Sequence, residues 1–306
     1  MMGNTIHNWD MLERGYTMHH AISQDKQGNI LATVSKTSAK IANGKDVRIN
    51  DFIIMMDPEK GEILQEWDLV HMLDSARYGM TDYDLTSDPF AQSASNWAYN
   101  NGIVEWGDDY LATARYQGIF KFNKAGGIEW IISPHGYWRD KYLKLLLNPL
   151  HADGTPITDP EVIAGTKNCD DFEWPWGCHT AVPLPNGHIL YFNNGYGRNF
   201  KLDFTDRKNI YTCGIEYEVD EVNRTVRQVW QYGKERGAAY FTPARSGVQY
   251  LEQTGNRLIC PGMSNVLSNG NRGARVTEVD PETQDVVFEL ELEDAIYQRV
   301  YRMSLY

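Results

Sequence analysis

Residues 52–68 read FIIMMDPEKGEILQEWD, in which two runs rich in apolar residues flank a short polar segment with Asp, Pro and Gly. Two such runs joined by a turn predict a β-hairpin. The pattern returns in IFKFNKAGGIEWII (119–132), IEYEVDEVNRTVRQVWQY (215–232) and VTEVDPETQDVVFELEL (276–292). The chain therefore repeats one hairpin unit four times, and a repeat of this kind decides the fold class.

A second strand pair precedes each hairpin and turns at a glycine. The turn glycines are Gly28, Gly107, Gly187 and Gly255, which recur at intervals of 68 to 80 residues. Each unit thus has four strands, and antiparallel four-stranded units at this period are typical of β-propeller blades. We predict an all-β fold, a β-propeller with about four blades in this chain. A large β-sandwich with regularly spaced short strands is the alternative.

The predicted propeller region spans residues 1–306 as a single domain. Its approximate blades are 16–70, 95–133, 178–233 and 245–293, followed by a closing strand at 299–306. The first strand of each propeller blade lines the central channel. Residues at equivalent positions of these strands are therefore expected to converge, although they are far apart in the sequence.

Equivalent positions of the repeat carry residues suited to chemistry. Eight residues before the turn glycines lie His20, Tyr99 and His179, and eight residues after them lie Lys36 and Arg115. Residues equidistant from a hairpin turn lie side by side, so we expect Arg115 beside Tyr99 and Lys36 beside His20. A ring of imidazoles, a phenol and cations suits an anionic substrate.

Charge and hydropathy argue against two classes of partner. The 306-residue chain has a formal net charge of −12, the wrong sign for neutralising a phosphate backbone, so we expect no nucleic-acid partner. Its apolar runs are far shorter than the ~20 residues of a membrane span. The first 30 residues lack the apolar stretch of a secretory signal. The location stays open between the cytoplasm and, if the true start lies upstream, export.

The cysteines and the histidine pair do not form a metal-binding motif. No CxxC pair is present, and a disulfide between Cys169 and Cys178 is left open. Neighbouring residues of a strand point to opposite faces, so His19 and His20 are not expected to share an ion. We predict no metal and no cofactor.

The segment FEWPWGCHTAVPLPNGHIL (172–190) is followed by NNGYGRNF (193–200) and by IEYEVDEVNRTVRQVWQYGKERG (215–237). Together with NWAYNNGIVEWGDDYLATARYQGIFKF (96–122), these segments resemble the arylsulfotransferase family, specifically its bacterial aryl-sulfate sulfotransferase branch. The motifs W-G-x-H-T-A, N-N-G-x-G-R and Q-x-W-x-Y-G-K-E-R-G carry the resemblance, which covers essentially the whole chain.

The resemblance implies a six-bladed propeller preceded by a small β-sandwich. This chain, with about four blades and no sandwich, therefore looks like the C-terminal portion of a longer protein, which in Gram-negative relatives is periplasmic. The implied activity transfers a sulfuryl group from an aryl sulfate to a phenol without a nucleotide sulfate donor, in a ping-pong cycle through a sulfohistidine. The implied partners are thus an aryl sulfate donor and a phenolic acceptor, and homo-oligomerisation stays open.

The resemblance also implies a set of site residues. His179 matches the nucleophile, Arg115 matches the arginine that binds the sulfuryl oxygens, and the histidine pair at 19–20 matches a site histidine, with His20 favoured by the repeat register. His179, His20 and Arg115 are the predicted catalytic residues. The predicted substrate-binding residues are Asn101, Tyr99, His19, Lys36 and Tyr301.

One position departs from the family pattern. Tyr99 stands in W-A-Y-N-N where the family has a second histidine. An ordinary tyrosine pKa near 10 makes this residue a poorer proton shuttle at neutral pH. Two alternatives therefore stay open: a propeller that binds aryl sulfates or other anions without turnover, and an aryl-sulfate hydrolase in which water resolves the sulfohistidine.

Overall fold

The computed structural model describes residues 4–36, 50–81, 83–85, 87–91, 96–203, 205, 207–264 and 272–303. Across these residues the chain forms four sheets, three with four strands and one with five. The four main strands of each sheet pair in the antiparallel sense. The predicted all-β fold, a β-propeller of four-stranded antiparallel blades, is confirmed.

The first two blades follow the strand order of the sequence. Blade one contains β1 (Tyr16–Gln24), β2 (Ile30–Lys36), β3 (Asn50–Met56) and β4 (Ile63–Asp68). Blade two contains β5 (Asn100–Trp106), β6 (Asp109–Ala114), β7 (Gly118–Phe122) and β8 (Ile128–Ile132). Each sheet is a simple meander, in which short hairpins join neighbouring strands.

Blade three carries the additional strand. It contains β9 (Asn148–Leu150), β10 (His179–Pro183), β11 (Ile189–Asn193), β12 (Cys213–Asp220) and β13 (Thr225–Tyr232). The short β9 pairs in parallel with β13 at the outer edge. Blade four contains β14 (Ser246–Tyr250), β15 (Arg257–Pro261), β16 (Ala274–Val279) and β17 (Val286–Leu292).

Short helices lie in the connections between strands. The α-helices are α1 (Leu69–Met72), α2 (Asp140–Leu143) and α3 (Pro160–Ala164). Single 3-10 turns occupy Arg77–Met80, Arg198–Phe200, Arg207–Asn209 and Lys234–Ala239. Among the described residues, no helix has the length and apolar character that a membrane crossing requires.

The turn glycines of the repeat have a conformational reason. Gly28, Gly107, Gly187 and Gly255 all have φ between 66° and 90°. This left-handed region costs other L residues roughly 1–2 kcal/mol, whereas glycine adopts it freely. The first hairpin of each blade therefore depends on glycine at this point.

The first strands of the blades lie side by side. Strand β1 contacts β5, β5 contacts β10, and β10 contacts β14. Side-chain hydrogen bonds join neighbouring blades here. The Ser23 hydroxyl donates to the Ile103 carbonyl at 2.7 Å, and the side-chain amide of Asn101 donates to the Cys178 carbonyl at 2.8 Å. Between the blades, buried side chains such as Ile103, Tyr191 and Trp130 form the main hydrophobic core.

The segment after blade four does not form the predicted closing strand over residues 299–303, which have no regular secondary structure. Residues 304–306 of that prediction lie outside the described residues. Gln249 of β14 contacts this segment through its side chain: Nε2 donates to the Arg302 carbonyl, and Oε1 accepts from the Arg302 amide, both at 2.8 Å. Both hydrogen bonds use the side chain of Gln249, so they are not the backbone hydrogen bonds that pair neighbouring strands.

Candidate active site

Three of the inner strands are distorted at the same level. His20, Tyr99 and Thr180 have φ of 53°, 54° and 46°, and the strand register shifts beside each of them, in β1, β5 and β10. Left-handed backbone at residues with a Cβ is costly and is concentrated at functional sites, and β-bulges reorient neighbouring side chains. The shared irregularity marks this level of the inner strands as the candidate site.

His179 is held in one tautomer. Its buried imidazole places Nδ1 at 2.7 Å from Asn194 Oδ1 and 3.1 Å from the Gly177 carbonyl. The Asn194 amide nitrogen donates to the Thr242 carbonyl at 2.9 Å, which turns Oδ1 toward the imidazole. Both neighbours of Nδ1 are acceptors, so Nδ1 carries the proton and Nε2 carries the lone pair.

His179 is also neutral. Burial of the imidazole, followed by the charge of Arg115 and by His20 and Arg299, lowers the pKa of His179 well below its ordinary value. The Asn194 hydrogen bond opposes this shift without reversing it. The structure thus places His179, Arg115, His20 and Arg299 within electrostatic reach of one another, and the lone pair on Nε2 is available at neutral pH.

Arg115 is a buried cation with unused donors. Its backbone amide donates to the Tyr99 carbonyl at 3.0 Å, so the predicted pairing of these residues is confirmed. Its guanidinium lies 4.5 Å from the ring centre of Tyr196 and 4.8 Å from that of Phe90, and Nη2 donates to the Pro243 carbonyl at 2.7 Å. Its Nε and Nη1 have no hydrogen-bond partner among the residues that the structure describes. Buried donors without partners are rare, and two on one guanidinium suit the oxygens of an anion.

The negative charge near Arg115 is the Asp88 carboxylate, which three tyrosines hold through hydrogen bonds. The buried Asp88 carboxylate accepts hydrogen bonds from Tyr83 and Tyr116 at 2.6 Å and from Tyr196 at 3.1 Å. Burial alone lowers the pKa of Arg115, but Tyr116, Tyr83, Tyr99 and Asp88 raise it overall. The guanidinium therefore keeps its charge without a direct ion pair to Asp88 that would occupy its donors.

A line of titratable groups leads to His20. Its ring lies 4.7 Å from that of Tyr99, and its Nδ1 lies 3.0 Å from Nδ1 of His19. The Nε2 of His19 lies 3.4 Å from an oxygen of the buried Asp51 carboxylate, but the two atoms do not form a hydrogen bond. Asp51 also accepts from the Asn100 amide at 2.8 Å. Asp51, His19 and His20 thus form a continuous polar chain.

Positive charge dominates the surroundings of His20. Burial, then His19 and the charges of Arg299, Arg115 and Arg245, lower the pKa of His20 to about 3. Burial raises the pKa of the neighbouring Tyr99, which stays a phenol. An anion bound among these groups would offset the positive charges and raise the pKa of His20 again.

Three residues of the site are absent from the sequence predictions. Arg299 comes from the segment after blade four; its Nη2 donates to the Asn101 carbonyl, and within the described part of the chain its Nε has no partner. No repeat position signals Arg299. Asn194 lies in the quoted N-N-G motif, where its contact with His179 has no sequence signal. Asp51 is contributed by β3, a strand that the repeat pattern does not place at the channel.

Two predicted substrate-binding residues, Lys36 and Tyr301, are respectively engaged by another residue and exposed. Lys36 lies opposite Tyr16 rather than His20, because the strands already pair Gln24 with Ile30 beside the turn and the register shifts again between Met18 and Ile22. Its ammonium is engaged at 2.6 Å by Glu66 of β4. The prediction that Lys36 neighbours His20 is therefore wrong. Tyr301 is 55% exposed on the segment after blade four, whereas the imidazole of His179 is buried.

Asn101 is close to the cluster but fully engaged. Its amide nitrogen donates to the Cys178 carbonyl, and its oxygen accepts from the Thr113 hydroxyl at 2.6 Å. The Cys178 carbonyl is in the residue before His179. The buried Asn101 thus fixes the approach to His179 through the backbone.

The comparison with protein families identifies the family of the chain. A family described as Arylsulfotransferase (ASST) matches residues 1–302. The chain belongs to the arylsulfotransferase family. The predicted family resemblance is thereby confirmed over the whole matched range.

Two curated relatives carry the name arylsulfate sulfotransferase AssT. The protein of Escherichia coli O6:H1 strain CFT073 is 28% identical over 336 aligned residues, and the protein of Lelliottia amnigena is 29% identical over 337. Both alignments cover 100% of this chain and 55% of the relative. The chain thus spans about half the length of the arylsulfotransferases that it matches.

Two solved structures align with most of this chain. The Dos1 propeller aligns with a TM-score of 0.34 and 10% identity, covering 90% of this chain and 62% of that one. BamB from Moraxella catarrhalis aligns with a TM-score of 0.32 and 7% identity, covering 90% of this chain and 64% of that one.

Proposed function

We propose that this arylsulfotransferase chain transfers a sulfuryl group from an aryl sulfate to a phenolic acceptor, in a ping-pong cycle through a sulfohistidine on His179. The observation that carries the proposal is the tautomer of His179. A buried, neutral imidazole whose Nδ1–H is fixed by Asn194 presents a lone pair on Nε2. Beside it, Arg115 has two unpartnered donors for the sulfuryl oxygens. A positioned nucleophile next to an oxyanion donor is the arrangement that covalent group transfer requires.

In the first half-reaction, the lone pair of His179 Nε2 attacks sulfur opposite the ester oxygen. The N–S bond forms as the S–O bond breaks, and the electron pair of that bond leaves with the phenolate. Arg115 holds the sulfuryl oxygens, and Arg299 lies near enough to share their negative charge. The Nδ1–H of His179 keeps its bond to Asn194, which stabilises the positive charge that develops on the imidazole.

His20 handles the proton of the phenol. In the free chain its pKa of about 3 leaves it neutral. A bound sulfate ester brings negative charge beside the arginines, which raises this pKa and allows His20 to hold the proton that the departing phenolate takes. Tyr99, whose ring meets the His20 ring edge to face at 4.7 Å, is placed to assist as a hydrogen-bond donor because its phenol stays protonated.

The second half-reaction reverses the first. The acceptor phenol gives its proton to His20, its oxygen attacks sulfur, and the N–S bond breaks with return of the electron pair to His179 Nε2. Water in place of the phenol would make the chain a hydrolase. The acceptor therefore decides between transfer and hydrolysis.

The test measures release of phenol from a chromogenic aryl sulfate, with and without an added acceptor phenol. We expect acceptor-dependent release that is lost in His179→Ala and kept in His7→Gln, a matched change of a partly exposed histidine that pairs with Glu59. Release that does not depend on the acceptor would favour the hydrolase. Equal release by His179→Ala would overturn the proposal, and donor binding without release would favour the binding propeller.

A further inference from the structure

Three side chains with metal-binding atoms meet beside blade three, apart from the inner-strand cluster. His151 directly follows β9, and Cys169 and Asp171 precede the tryptophan-rich segment that leads to His179. The Nδ1 of His151, the Sγ of Cys169 and a carboxylate oxygen of Asp171 all lie within 4.8 Å of one another. We propose that these three residues bind one zinc ion.

The separations are close to those of a zinc site. His151 Nδ1 lies 3.0 and 3.2 Å from the two Asp171 oxygens, and Cys169 Sγ lies 3.1 Å from Oδ1. Zinc bonds of about 2.0–2.3 Å in a tetrahedron separate their ligand atoms by about 3.3–3.6 Å. The two ligand pairs that include Asp171 need to move apart by only a few tenths of an ångström to admit the ion.

Without metal, hydrogen bonds to Asp171 join the three side chains that zinc would otherwise join. The Cys169 thiol donates to the Asp171 carboxylate, and His151 Nδ1 contacts the same carboxylate. Zinc replaces the thiol proton and the proton between His151 and Asp171, because a ligating cysteine is a thiolate and a ligating imidazole nitrogen is unprotonated. One thiolate and one carboxylate then balance the charge of a divalent ion.

The carboxylate is prepared for this role. The Ala152 amide donates to Asp171 Oδ2 at 2.9 Å, which orients the group and leaves Oδ1 toward the thiol. The His151 imidazole and the Cys169 thiol contact the same carboxylate. An oriented, ionised carboxylate with an amide behind it is the usual outer-sphere arrangement of a metal ligand.

The donor set selects the kind of metal. Thiolate with imidazole favours zinc, whereas calcium and magnesium prefer oxygen ligands alone. The thiol is available, since all four cysteines are free and no disulfide joins Cys169 to Cys178. The side chains of His151 and Asp171 are 40% and 37% exposed, so the ion has access from solvent and a water can complete the tetrahedron.

The zinc ion would stabilise the connection between β9 and β10 and would not take part in the chemistry at the inner strands. Zinc would join the turn after β9 to residues 169–171, eight to ten positions before His179. This role does not depend on the proposed transferase activity. The prediction of no metal considers only the His19–His20 pair and cysteine spacing. It does not anticipate that His151, which precedes Cys169 by 18 residues and Asp171 by 20, lies beside them.

The test is metal content together with cobalt spectroscopy of the intact chain. After chelation and dialysis, the chain is loaded with Zn²⁺ alone, and bound metal is measured by elemental analysis. We expect one zinc per chain, with affinity lowered at least about 100-fold in Cys169→Ser and in Asp171→Asn. The control is His188→Gln, which removes another histidine–carboxylate pair, to Glu216 at 2.7 Å, and should keep the zinc.

Cobalt keeps the test decisive if a variant misfolds. Titration of the unmodified chain with Co²⁺ should give the thiolate-to-cobalt charge-transfer absorption with one equivalent of metal. Zinc should also slow the reaction of Cys169 with a thiol reagent. Absence of the charge-transfer band, or zinc bound equally by the chain and by both ligand variants, would overturn the proposal, whatever the sulfuryl-transfer assay gives.

Discussion

Replacing Asn194 by alanine tests the tautomer on which the mechanism depends. Asn194 Oδ1 accepts from His179 Nδ1 at 2.7 Å in a fully buried environment. Without this acceptor, the tautomer with its proton on Nε2 becomes accessible, and that tautomer has no lone pair on the nitrogen that attacks sulfur. The Gly177 carbonyl, 3.1 Å from Nδ1, preserves part of the preference.

The size of the effect follows from the energy of a buried hydrogen bond. Loss of one partner in such a bond costs about 1–3 kcal/mol. At about 1.4 kcal/mol for each tenfold change in rate, kcat of Asn194→Ala should fall roughly 5- to 150-fold. The KM for the donor should change little, because Asn194 contacts the nucleophile and not the substrate.

The matched variant Asn194→Asp separates orientation from charge. Aspartate keeps an acceptor oxygen but adds a negative charge beside His179, which favours the imidazolium and raises the pKa of His179. Its activity should therefore fall as the pH is lowered through the raised pKa, whereas the unmodified chain stays active. Initial rates with a chromogenic aryl sulfate between pH 5 and 9 measure both effects. A folded Asn194→Ala variant with unchanged kcat, or with a change in KM alone, would refute the reasoning.

Three further results are expected. Arg115→Lys keeps the charge but loses the planar fork, so kcat/KM for the donor should fall at least about tenfold in steady-state assays; an unchanged value would contradict anion binding by this guanidinium. Asp51→Asn weakens the polar chain behind His20, so kcat should depend more steeply on the pKa of the leaving phenol across a series of aryl sulfates, and an unchanged slope would exclude a part for Asp51 in proton transfer. His20 has a pKa of about 3 in the folded chain and an ordinary value near 6.5 when unfolded, so the unfolded state binds more protons between these values. The free energy of unfolding should thus fall on acidification through this window, by up to about 1.4 kcal/mol per pH unit for this group, and urea titrations should show a shallower fall in His20→Gln.

The fold class could be predicted because the repeat is local. Each hairpin turns at residues whose conformation depends on their own backbone, and the glycines at 28, 107, 187 and 255 show this directly through their positive φ. A count outward from Gly107 places Arg115 beside Tyr99, and the structure agrees because a bulge between Asn100 and Gly102 offsets a turn centred one half-residue past Gly107. The same count fails for Lys36, because the ladder beside the turn is centred on Gln27 and the bulge in β1 moves the register two residues further.

The site could be predicted only where it lies on the repeat. His20, Tyr99 and His179 occupy equivalent strand positions, so their register was visible in the sequence. Arg299 arrives from a segment with no counterpart in the other blades, and Asp51 arrives from a third strand. The contacts of these two residues depend on how the blades pack, which local patterns do not encode.

Direct detection of the sulfuryl group on His179 tests the central claim. The chain is incubated with an aryl sulfate in the absence of acceptor, quenched at alkaline pH and digested, and the peptide that contains His179 is measured by mass spectrometry. The account predicts one added SO₃ group on His179, lost when a phenol is added before quenching. An unmodified His179 peptide under conditions where acceptor-dependent transfer proceeds, or the group on another residue, would contradict it.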